Sequence, residues 1–142
     1  MRFMVLLRGT RMFEAPAGLM EGITRLGAEA SVAGALGDTA ALAPSVSGAR
    51  VRLTGGRLDV DTEPFTPGPE LLSYAFYQVA TAAEAVEWAS RLLRLHQEFV
   101  PGWEGEAEIL KVFGPADFTP DEAGRSGEAA AAPRSGPGAP VR

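Results

Sequence analysis

Residues 71–79, Leu-Leu-Ser-Tyr-Ala-Phe-Tyr-Gln-Val, are apolar at both parities of a strand. Leu71, Ala75, Tyr77 and Val79 fall on one side with Ser73, and Leu72, Tyr74 and Phe76 on the other with Gln78. Successive side chains of a strand point to opposite faces, so this segment needs cover on both. Arg2 to Arg8 has the same property: Phe3, Val5 and Leu7 oppose Met4 and Leu6. So does Gly105 to Phe113, with Ala107, Ile109 and Lys111 against Glu108, Leu110 and Val112. Whatever the chain folds into must shelter both faces of one sheet.

Two helical patterns are available to do it. From Pro16, which suits a helix start, Leu19, Ile23, Leu26 and Ala30 recur at helical spacing, with Glu21, Arg25 and Glu29 opposite. Gly18, Gly22 and Gly27 weaken this helix by up to about 1 kcal/mol each relative to alanine; its end falls near Ala33, before Gly34. The second helix opens with the capping box Thr81-Ala82-Ala83-Glu84, in which hydroxyl and carboxylate each satisfy an orphan backbone donor. It runs to about Leu95 with Ala82, Ala85, Ala89, Leu92 and His96 on one stripe, and Pro101 blocks its continuation.

Between the helices, Ala35 to Leu42 is a weak strand of small residues interrupted by Gly37-Asp38, read most simply as a poor edge strand. Arg50 to Leu53 and Arg57 to Val60 alternate polar and apolar around Thr54-Gly55-Gly56, a tight hairpin whose glycines supply positive φ. The order strand, helix, weak strand, hairpin, strand, helix, strand predicts an antiparallel α+β sheet with both helices on one face. The second face is then left for a second copy of the chain, giving a two-fold homodimer. If the face of Val5 and Tyr77 meets that partner, an acid at either position splits the dimer.

The 142 residues suffice for one domain, expected over residues 1–114. Residues 115–142 are rich in Gly, Pro, Ala and Ser and read as a disordered tail, because they cannot bury enough apolar surface to offset ordering entropy. A net charge of −5 argues against nucleic-acid binding. No segment has the length or composition of a membrane span or a signal-peptide core, so a cytoplasmic protein is expected. The absence of cysteine excludes disulfides, Cys-ligated zinc, iron–sulfur clusters and a thiol nucleophile.

Over about Met1 to Phe113 the chain resembles the YCII-related proteins of the DGPF type. The similarity rests on the opening Met1-Arg2-Phe3-Met4-Val5-Leu6-Leu7-Arg8-Gly9, Leu42-Ala43-Pro44-Ser45 with Gly48-Ala49-Arg50-Val51-Arg52, Thr62-Glu63-Pro64-Phe65 at the place of Asp-Gly-Pro-Phe, Glu84-Ala85-Val86-Glu87-Trp88-Ala89, and Gly105-Glu106-Ala107-Glu108-Ile109. The resemblance implies a ferredoxin-like fold paired as a dimeric α+β barrel. The chain departs from the family at Ala40, Thr62, Glu63, Ser73-Tyr74 and Leu110, where polar or small pocket residues are exchanged; Glu70 is retained. Relatives proposed as enzymes use a His/Asp pair, but no histidine occurs in the N-terminal half here.

Several residues are candidates for chemistry. His96, the sole histidine, suits acid/base work near neutrality and falls within reach of a cavity between helix and sheet; a histidine bonded to the last helix carbonyls is the plainer reading. Asp61, Glu63 and Glu70 form an acidic group in which a carboxylate held in an apolar pocket, its pKa raised, would act as general base; turn chemistry is the alternative. With one histidine they make a poor metal set, and no metal or cofactor is expected. Arg8 could hold a carboxylate or enolate oxygen, or pair at the sheet edge or across the dimer. Phe65, Glu70, Tyr74 and Tyr77 complete the expected ligand contacts, the tyrosines on opposite faces. Two functions compete. One is a small-molecule-binding homodimer, a cofactor-free isomerase, cyclase or lyase acting on an apolar or aromatic specialised metabolite. The other, implied by the resemblance, is a non-catalytic accessory role in sigma-factor-dependent transcription.

Overall fold

The computed structural model describes residues 1–62 and 69–117. Four strands, β1 (Arg2–Gly9), β2 (Leu36–Ala41), β5 (Glu70–Gln78) and β6 (Gly105–Val112), form one sheet in the order β2-β5-β1-β6. All three strand pairings are antiparallel. Two helices, α1 (Ala17–Val32) and α2 (Ala82–Phe99), follow β1 and β5. The architecture is ferredoxin-like α+β. A separate hairpin, β3 (Arg50–Thr54) with β4 (Arg57–Asp61), turns at Gly55 and Gly56, whose φ angles of 59° and 76° are the left-handed pair a two-residue hairpin demands. The sheet and helices make one compact unit, Met1–Arg50 with Asp61–Val112; Val51–Val60 of the hairpin falls outside it, and Val51, Leu53 and Val60 are exposed.

Parity decides which side of the sheet the helices cover. Along β1, Phe3, Val5 and Leu7 are buried while Met4, Leu6 and Arg8 are half-buried. Phe3 pairs with Tyr77 and Val5 with Ala75, and these join Ala30, Ala85 and Ala89 of the helices in the core. Val5 and Tyr77 therefore face α1 and α2 and cannot meet a partner sheet, contrary to the expectation above. The face without helices, uncovered among the described residues, carries Met4, Leu6, Tyr74, Phe76 and Leu110, the last 48% exposed.

Local chemistry accounts for the helix ends. Thr81 Oγ1 accepts from Glu84 N–H at 3.2 Å, and the Glu84 carboxylate accepts from Ala80 N–H rather than from Thr81 itself. At the end of α1, Gly34 takes φ 71°; Ala35 N–H donates to Ala30 O and Gly34 N–H to Ser31 O, a Schellman closure. Helix α2 extends to Phe99, four residues beyond the expected Leu95. Pro101 disfavours helical backbone only at the residue before it, and Val100 accordingly leaves the helix at φ −132°. The glycines of α1 also find their reason. A Cβ on Gly18 would stand 2.5 Å from the Phe99 ring, and one on Gly22 2.8 Å from Leu95 Cδ2, so bare backbone lets α2 approach. Strand β2 is an edge strand, and its register breaks between Leu36 and Thr39, at Gly37-Asp38. The tail from residue 118 lies outside the described residues.

Candidate functional site

Small residues on facing elements leave space under the helices. Ala75 on β5, Ala40 and Ala41 on β2, Ala89 on α2 and Gly27 on α1 contribute to the wall of a cavity of about 470 Å³ between helices and sheet. Leu19, Met20, Ile23 and Leu26 of α1, Leu36 and Leu92 make the wall mostly apolar. Its polar side chains come from Arg11, Thr39, Ser73, Tyr77 and His96. Among the described residues no carboxylate lines it, and Arg11 is the single permanent cation there.

His96 is 3% exposed, on the α2 stripe that faces the sheet. Its Nδ1 lies 2.9 Å from Leu92 O. A carbonyl only accepts, so Nδ1 carries a proton, and in the neutral ring Nε2 then holds the lone pair. The ring makes no other hydrogen bond among the described residues. Trp103 packs on it at 4.3 Å between centroids. The indole is placed by Gly9 and Gly105, paired across β1 and β6: a Cβ on either would collide with it, and its Nε1 donates to Thr10 O at 2.8 Å. His96 thus bonds a carbonyl within α2 rather than one of the last four of the helix, and borders the cavity as well.

Arg11 follows β1 in the connection to α1. Its Nε donates to Glu70 Oε2 at 3.2 Å, and Glu70 Oε1 accepts from Ser45 N–H at 3.0 Å. Both carboxylate oxygens are engaged. The Ser45 backbone donor, followed by Arg11, holds the Glu70 carboxyl below its ordinary value against the opposing effect of desolvation. This contradicts the raised pKa expected of a carboxylate base in that acidic group, and Glu70 instead anchors Arg11. The Arg11 Nη2 is buried and has no hydrogen-bond partner among the described residues. Arg11 did not emerge from the sequence, because it sits on no periodic element; its partner Glu70 is 59 residues away.

The other expected site residues scatter. Arg8 points to the uncovered face, where its Nε donates to Glu108 Oε1 at 2.7 Å. It shares with Glu70, Ser45 and Arg50 a second cavity of about 520 Å³ at the C-terminal end of β1. The charges that Arg8 and Glu70 bring there are already paired, with Glu108 and Arg11. Asp61 ends β4 and lines neither cavity. Glu63 and Phe65 lie outside the described residues. Tyr74 carries its ring on the uncovered face, edge-on to Phe76 at 5.9 Å, and donates to Asp38 Oδ2 at 2.9 Å. That bond, with some desolvation, raises its pKa. Tyr77, on the helix face, stacks on Trp88 at 6.2 Å, and burial raises its pKa while Arg91 partly opposes the shift. The two tyrosines lie on opposite faces, and Tyr77 alone projects toward the helices.

Among the described residues no three His, Asp or Glu side chains converge as a metal site, and no helix is long and apolar enough to cross a membrane. Compared with known proteins, the chain matches no protein-family model and no curated protein.

Proposed function

We propose that the chain is a homodimer in which each protomer binds an apolar or aromatic small molecule under its helices, with His96 moving a proton on it without a cofactor. The observation that carries this reading is the apolar cavity of about 470 Å³ bordered by a buried histidine whose Nε2 is unengaged among the described residues. A neutral imidazole with Nδ1–H fixed to a backbone carbonyl presents Nε2 as a base, and after accepting a proton it can return it to a second atom of the ligand. That cycle is an isomerisation, or with ring closure or loss of a leaving group a cyclisation or elimination. The resemblance to the YCII-related proteins supports the dimer, as does the row Met4, Leu6, Tyr74, Phe76 and Leu110 on the sheet face without helices. Glu63 and Asp61 have no part in this reading.

The test is thermal unfolding of the full chain with 1-naphthol. A ligand at a hundredfold excess over its Kd stabilises by about 2.7 kcal/mol, several degrees for a domain of this size. The shift is expected to saturate, and to vanish in Ile23→Trp, which fills the cavity. An unmoved midpoint with 1-naphthol and with other bicyclic aromatics sinks the proposal. Once a reacting ligand is found, His96→Gln should abolish exchange of its acidic C–H with deuterated solvent while leaving binding within a few fold.

A further inference from the structure

We infer that Arg11 is the anion-recognising group of this cavity, and that the ligand is an apolar carboxylate. The inference rests on the proposed binding function and adds the class of molecule bound. A guanidinium cannot shed its proton inside a protein and carries five N–H donors in a rigid fork. In this chain Nε is committed to Glu70, while Nη2 is buried with no partner among the described residues. A buried donor left in that state is costly, and an acceptor brought by a ligand recovers the loss. Carboxylate is the acceptor whose two oxygens match the fork.

The surroundings point the same way. Among the described residues the cavity wall has no Asp or Glu to compete for Nη2, and Glu70 has both oxygens occupied, by Arg11 and by the Ser45 N–H. Glu70 fixes the guanidinium and is a positioning residue. The remaining wall, from Leu19, Ile23 and Leu36, is suited to a hydrocarbon or aromatic body. Arg8, the arginine that the sequence offered for this task, lies on the other face of the sheet with its own carboxylate. An apolar acid bound through Arg11 would be held at one point and offer its body to the other polar groups of the wall, His96 among them.

The experiment is calorimetric titration of the full chain with 1-naphthaleneacetate and with the nearly isosteric 1-naphthaleneacetamide. The acid is expected to bind at least tenfold more tightly. Arg11→Gln should erase that preference, and Arg11→Lys should restore part of it. Equal affinities for acid and amide in the parent chain overturn the Arg11 assignment while leaving the cavity reading intact. Binding of neither probe overturns both. A preference for the acid that survives in Arg11→Gln places the anion contact elsewhere and overturns the inference. Should Arg11→Gln fail to fold, Glu70→Gln keeps the charge and removes its anchor. A weakened acid affinity with unchanged amide affinity then supports the assignment, and unchanged affinities for both count against it.

Discussion

Replacing Gly105 by alanine tests the arrangement that places Trp103 against His96. A Cβ on Gly105 would stand 2.6 Å from the Arg8 carbonyl oxygen and closer still to the Trp103 ring. The first of these atoms is backbone of β1, an inner strand of the sheet, and cannot retreat cheaply; the indole, closer still, must move as well. Overpacking of this kind costs about 1–3 kcal/mol. A displaced indole also gives up its bond to Thr10 O, worth about 0.5–1.5 kcal/mol net, and its ring contact with His96, worth about 0.5–1.5 kcal/mol. These losses overlap, and the expected destabilisation is about 2–4 kcal/mol, or a fall in melting temperature of roughly 10–20 °C for a domain of this length. Gly27→Ala is the control. Its nearest neighbour would be Leu36 Cδ2 at 3.9 Å, ordinary contact distance, within the body of α1. There alanine gains up to about 1 kcal/mol of helix propensity, and the midpoint should rise by a few degrees. Thermal unfolding by circular dichroism, with tryptophan emission to follow the indole, measures both. A Gly105→Ala protein that melts within about 3 °C of the parent with unchanged emission would refute the seating of Trp103.

Leu6→Asp and Phe76→Asp should each leave a folded monomer by sedimentation if the uncovered face meets a second copy, whereas Val5→Asp, buried at 3% exposure under the helices, should fail to fold because an unpaired charge there costs several kcal/mol; an unaltered dimer in both open-face variants refutes the interface. Glu70 has its folded pKa below the ordinary 4.5, so the stability it adds is present above that pH and is lost as the pH falls through the folded value. Glu70→Gln should therefore lower the melting temperature at neutral pH and converge with the parent in acid, and a gap that stays constant or widens on acidification would contradict the pairing with Ser45 and Arg11. Both tyrosines of the chain are shifted upward from 10.0, Tyr74 mainly by donating to Asp38 and Tyr77 by burial; ultraviolet titration should find no phenolate forming with the ordinary value, and Tyr74→Phe should remove one of the two late steps.

Much of the fold is written in short-range chemistry. The Gly55-Gly56 turn, the Thr81–Glu84 cap and the Gly34 stop are decided within a few residues, and each occurs where its residues stand. The glycines of α1 are different. From the sequence Gly18 and Gly22 are only losses of helix propensity, because their benefit lies in Phe99 and Leu95 of another helix. The end of α2 beyond Leu95 has a related cause: Gln97 and Glu98 are polar, but polar residues end no helix when backbone bonds can continue, and the stop waits for Pro101.

The site was harder to read because hydrophobicity was the sole guide to parity, and strands apolar on both faces make that guide symmetrical. Either Val5 and Tyr77 or Leu6 and Tyr74 could have faced the helices. Glycine breaks the tie. Gly9 has the parity of Phe3, Val5 and Leu7, and it pairs with Gly105 under Trp103, the residue that closes back from α2. A pair of glycines opposite one another at one end of two neighbouring strands marks where a bulky ring lies on the sheet, and so marks the side from which the helix returns. With that parity Arg8 is sent to the open face, beside Glu108, and cannot reach a ligand under the helices. Arg11 is left as the cation nearest the cavity, held by a carboxylate from the far end of β5. The contact between Arg11 and Glu70 joins two segments that no local pattern connects, which is why the residue with the strongest claim on an anionic ligand carries no signature in its own neighbourhood.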